Sequence, residues 1–68
     1  MFEVFKIGTP VTIGKSIDAT ILEINIKDKG LVLYQCSWWN GNTYEVKWFE
    51  EFMVTGEQNF KEQIGFKK

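Results

Sequence analysis

Sixty-eight residues with one cysteine and no histidine make one small domain, and they exclude an internal disulfide and a Cys/His metal centre. Eight basic residues, all lysine, against nine acids leave a net charge of −1. That balance argues against a dedicated nucleic-acid binder, because phosphate neutralisation supplies most non-specific affinity. A domain of this size buries only about 60% of its unfolded surface, so its eleven aromatics (six Phe, three Trp and two Tyr) must supply much of the core. Met1-Phe2-Glu3 carries no basic leader region, and the apolar run Leu31-Val32-Leu33-Tyr34 is far too short to span a bilayer. Neither signal peptide nor membrane anchor is expected, and with one unpaired cysteine a cytoplasmic setting is.

In chain order, the Gly8-Thr9-Pro10 turn signal precedes the β-branched alternation of Val11 and Ile13, which predicts a first strand after a turn. Gly14-Lys15-Ser16 reads as a loop. From Ala19 to Lys27, Leu22, Ile24 and Ile26 alternate with Glu23, Asn25 and Lys27, the period of a strand with one wet face. Ile21 breaks that alternation, as a bulge or a section buried on both sides would. Asp28-Lys29-Gly30 predicts a hairpin turn ending in a left-handed glycine. Leu31 to Trp39 is the next strand, Asn40-Gly41 carries the signal of a type I′ turn, and Thr43 to Phe49 returns. These last three strands form an antiparallel meander.

Strand parity sorts the hairpin. Val32, Tyr34, Cys36 and Trp38 share one face, and Leu31, Leu33, Gln35, Ser37 and Trp39 the other; beyond the turn, Tyr44, Val46 and Trp48 oppose Glu45 and Lys47. The apolar even-numbered set is expected to fill the core, which sends Trp38 in and leaves Trp39 at the rim or outside. Glu50-Glu51 predicts a tight 3₁₀ turn before a short last strand at Phe52-Met53-Val54. In the tail, Phe60 and Ile64 are spaced for one helical turn, but a terminal strand at Ile64–Phe66 is the preferred reading. Five short strands separated by turn signals predict an all-β fold, a small five-stranded antiparallel barrel over residues 1–56, with residues 57–68 as a lid or terminal strand packed on it.

Several motifs bear a resemblance: Phe-Lys-Ile-Gly-x-x-Val at 5–11, Tyr-x-Cys-x-Trp-Trp-x-Gly at 34–41, Trp-Phe-Glu-Glu-Phe-x-Val at 48–54 and Ile-Gly-Phe at 64–66. Together they resemble small Src-homology-3-like barrels encoded by phages and other bacterial mobile elements; the opening half is also similar to Tudor and KOW modules. The resemblance implies a barrel fold and a phage or prophage setting. It carries over no established catalytic or binding residue.

Enzyme chemistry needs a tuned acid or base near a nucleophile or an electrophilic clamp, and little here offers one. Cys36 falls on the inward parity, where a thiol acts as a small apolar group. Glu50 and Glu51 are adjacent and diverge if extended. Gly8, Gly14, Gly30 and Gly41 sit in separate turns and cradle no phosphate. No catalytic residue, metal or cofactor is expected. The rim aromatics offer more: Trp39, with Leu31 and Leu33, is either covered by the chain ends (Phe2 and Val4, or Phe60 and Phe66) or anchors a protein partner. The favoured expectation is a non-catalytic interaction module, a phage or mobile-element accessory protein. It would dock a bacterial host or phage protein, as an inhibitor or in assembly, through Trp39, Tyr44, Glu45, Phe49, Glu50 and Glu51, and self-association is a milder form of the same idea. The alternative is a weak nucleic-acid accessory protein in which Trp39 and Tyr44 stack on bases while Lys15, Lys27, Lys29 and Lys47 meet phosphates.

Overall fold

The computed structural model describes residues 2–57 and 61–64. Among the described residues, seven strands run in chain order: β1 (Phe2–Phe5), β2 (Pro10–Ile13), β3 (Ile17–Ile26), β4 (Val32–Asn40), β5 (Thr43–Glu50), β6 (Val54–Thr55) and β7 (Lys61–Ile64). Two short 3₁₀ turns, Asp28–Gly30 and Glu51–Met53, interrupt them. No helix among the described residues is long and apolar enough to cross a membrane.

Strands β2 to β6 form one antiparallel sheet in the order β5-β4-β3-β2-β6, so the expected meander is its centre. The sheet does not close into the expected barrel: β5 and β6 are its two edges. β1 joins neither edge and pairs instead with β7, from Phe2↔Ile64 to Phe5↔Lys61. β7 begins before the expected terminal strand and shares Ile64 with it; the rest of that expectation, with Phe60 and Phe66, falls outside the described residues.

Local chemistry explains the sheet's irregularities. The pairing slips between Ile21↔Cys36 and Glu23↔Gln35, leaving Leu22 as the extra residue of a bulge. Inward parity therefore changes within β3, from Ala19 and Ile21 before the bulge to Ile24 and Ile26 after it. That is the physical content of the broken alternation at Ile21. In the next turn, Gly30 is left-handed as expected (φ 81°), but Lys29 is too (φ 66°). At the β4–β5 hairpin, Asn40 pairs with Thr43, so the central residues are Gly41 and Asn42, and only Gly41 has positive φ (63°). This is the glycine-first pattern of a type II′ turn, not the type I′ turn expected from Asn40-Gly41.

The core joins Val11, Ile13, Ala19, Ile21, Val32, Tyr34, Cys36 and Val54 of the sheet to Val4 and Phe5 of the ribbon. The ribbon is tied down at one point in particular. The backbone N–H of Phe5 donates to the Tyr34 hydroxyl at 3.1 Å, the two rings lie 5.8 Å apart, and the Lys61 ammonium sits 4.8 Å from the Phe5 ring centroid. Replacing Tyr34 with phenylalanine keeps the shape but leaves a buried donor unpaired. Urea titration is expected to show a loss of about 1–3 kcal/mol with an unchanged slope.

Candidate functional site

A two-residue loop pairs an odd-numbered position with an even-numbered one, so parity reverses across the β4–β5 hairpin. One face carries Trp39↔Tyr44, Ser37↔Val46, Gln35↔Trp48 and Leu33↔Glu50; the other carries Trp38↔Glu45, Cys36↔Lys47 and Tyr34↔Phe49. The even-numbered expectation therefore holds on β4, where Val32, Tyr34 and Cys36 are buried and Trp38 half-buried, and is corrected on β5. Tyr44, Val46 and Trp48 face away from the core.

The result inverts the usual pattern of a half-buried strand. On β5 the core side holds Glu45, Lys47 and Phe49, and the solvent side holds the apolar row. Trp39 is 69% exposed, Trp48 47%, Tyr44 49% and Val46 43%. The Trp39 and Tyr44 rings stack across the strands with centroids 5.1 Å apart and tilted by 53°. Val4, one of the expected covers, is fully buried in the core instead, and the side chains of Phe2, Phe60 and Phe66 lie outside those described. Trp39 also borders two shallow depressions, one of about 430 Å³ with Asp18, Asn40, Glu45 and Lys47, and one of about 610 Å³ with Thr20, Leu22, Ser37 and Tyr44.

The remaining predicted residues divide. Phe49 does not join Trp39; it packs on Trp38 with ring centroids 5.8 Å apart and props the inner side of the hairpin. Glu45 is half-buried on that same inner side, Glu50 is exposed at the end of the outer row opposite Leu33, and Glu51 is exposed on the 3₁₀ turn. Val46 and Trp48 belong to the site although sequence reasoning assigned them to the core; counting register through the turn would have found them.

The four lysines of the nucleic-acid alternative are not gathered. Lys15 lies in the β2–β3 turn beside the hairpin tip, whereas Lys27 precedes and Lys29 lies within the β3–β4 turn at the other end of β3. A ten-residue strand separates those ends, which is about 30 Å at 3.3 Å per residue. Lys47 lies in the middle of β5.

Cys36 is fully buried, with its Sγ 4.0 Å from the Tyr34 carbonyl, and burial pushes its pKa from 9.0 up to about 11. Burial likewise raises the Tyr34 phenol. A thiol held protonated this way is a packing group and not a nucleophile. The folded protein binds the proton of Cys36 more tightly than the unfolded chain, so this contribution to stability is complete below pH 9 and lost as pH rises towards 11. Thermal unfolding across that window is expected to show a falling Tm, with a shallower fall in Cys36→Ala. Among the described residues, no group of three or more His, Cys, Asp or Glu side chains is placed to hold a metal ion.

Comparison with protein-family models, curated proteins and solved structures finds no match.

Proposed function

We propose that this protein is a non-catalytic protein-interaction module that docks a partner on the outer face of the β4–β5 hairpin. The observation that carries the reading is the inverted pattern of β5: Tyr44, Val46 and Trp48 join Trp39 in one exposed apolar row while Glu45 and Lys47 stand with Phe49 on the core side. Such rows are costly to leave wet, and Trp and Tyr dominate the energetics of protein interfaces. Glu50 and Glu51 edge the row with negative charge and favour a partner that is apolar at its centre and basic at its margin. Phe49 serves this face indirectly, by fixing Trp38 behind it.

In this reading the chain is a phage or mobile-element accessory protein of the small Src-homology-3-like kind, working in the bacterial cytoplasm on a host or phage protein. The motif resemblance supports that setting, and the all-β fold is compatible with it. Affinity capture from bacterial lysate, with wild type and Trp39→Ala side by side, tests the docking face. The captured partner is expected to bind the variant at least thirtyfold more weakly, equivalent to about 2 kcal/mol at a hot spot. Undiminished capture by a folded Trp39→Ala protein would place the interface elsewhere.

A further inference from the structure

The two edges of the open sheet are unequal. β6 has two residues, short enough to blunt an edge, whereas β5 has eight and, among the described residues, no strand on the side away from β4. Because Asn40 and Thr43 close a two-residue hairpin, they are a hydrogen-bonded pair, and alternation along an antiparallel ladder then aims the amides of Tyr44, Val46 and Trp48 away from β4.

We infer that two copies of this chain pair antiparallel along β5 about a two-fold axis at Val46, joining their sheets edge to edge. Only registers in which the outward amides meet each other satisfy the hydrogen bonds, and the side chains choose among these. Centring the axis on Glu45 or on Lys47 sets like charges opposite one another in the closest, non-hydrogen-bonded positions. Centring it on Val46 places Glu45 opposite Lys47 of the second copy, and the reverse, while Tyr44 meets Trp48 twice and Val46 meets itself. The outer apolar row then runs unbroken across both copies, and Trp39, which lies on β4, is left free. A lysine in mid-strand ordinarily protects an edge; here, with Glu45 two residues away, it selects one register. The pairing uses the long edge of each copy, so assembly stops at two.

Sedimentation equilibrium is expected to give twice the 8.0 kDa chain mass, with Lys47→Glu weakening the dimer at least tenfold and the Glu45→Lys/Lys47→Glu double variant restoring it. Circular dichroism checks that both remain folded. Val46→Cys is expected to form a disulfide-linked dimer on mild oxidation, since paired Cα atoms lie about 5.5 Å apart, within disulfide reach. Tyr44→Cys is expected not to, because its counterpart is displaced four residues along the strand, about 13 Å away. A monomer at millimolar concentration, a larger assembly, or equal cross-linking at both positions would overturn the proposal. The outcome is separable from the docking face: Trp39→Ala is expected to remain dimeric, and a monomeric wild type that still captures its partner through Trp39 would refute the pairing alone.

Discussion

Ile21→Ala is expected to remove a large share of the stability of the chain. Ile21 has no exposed surface and lies where β3 changes its inward parity. Its backbone also anchors the turn before β2: its N–H donates to the Thr9 carbonyl at 3.0 Å, and its carbonyl accepts from Gly8 N–H at 2.7 Å. Truncation keeps those bonds but opens a cavity at a fully buried position. The expected cost is about 2–5 kcal/mol. A chain of 68 residues has on the order of 3–10 kcal/mol in total, so this one substitution removes much of it. Urea unfolding followed by circular dichroism measures the loss. Leu31→Ala, at a position 46% exposed, is the control and is expected to change stability by no more than about 0.5 kcal/mol.

Phe5→Ala is expected to cost about 3–5 kcal/mol and to loosen the β1–β7 ribbon before the sheet. The Phe5 ring, 3% exposed, meets Tyr34 on one side and Lys61 on another, and a Cβ on Gly56 would stand only 2.9 Å from it. The glycine is what lets the chain after β6 pass so close. With the ring gone, the ribbon keeps its own ladder but loses most of its hold on the core, and a two-stranded ribbon alone is barely stable in water. Hydrogen exchange is expected to accelerate first at residues 3–5 and 61–64 and only later in β3 and β4. Uniform acceleration across the sheet would show that the two sheets unfold as one unit.

Short-range chemistry made much of this fold legible. The alternation of β3, the bulge beside Ile21, the left-handed Gly30 and the strand from Val32 all follow from neighbours in sequence, whereas the 3₁₀ turn expected at Glu50-Glu51 falls on Glu51–Met53 and leaves only Val54 of the expected strand Phe52-Met53-Val54 in β6. The β1–β7 pairing does not, because its partners are nearly a chain length apart and no turn links them; with that pairing hidden, an open sheet looks like a closed barrel. The face of β5 is a different case. Tyr44, Val46 and Trp48 look like core residues as long as even numbers are assumed to share a side, yet any two-residue turn exchanges odd and even. Read through the turn, the same residues are an apolar row turned to solvent, and the strand that seemed to complete the core becomes the reason to expect a partner.

The row on β4–β5 is tested most directly by the accessibility of the two adjacent indoles. Variants retaining one tryptophan each, Trp38 or Trp39, with the other two replaced by phenylalanine, are compared by acrylamide quenching of fluorescence. Trp39 is expected to emit to the red and to be quenched several-fold more steeply than Trp38, which is packed against Phe49. The reverse order, with Trp38 open to the quencher and Trp39 shielded, would contradict the assignment of faces and remove the docking surface with it.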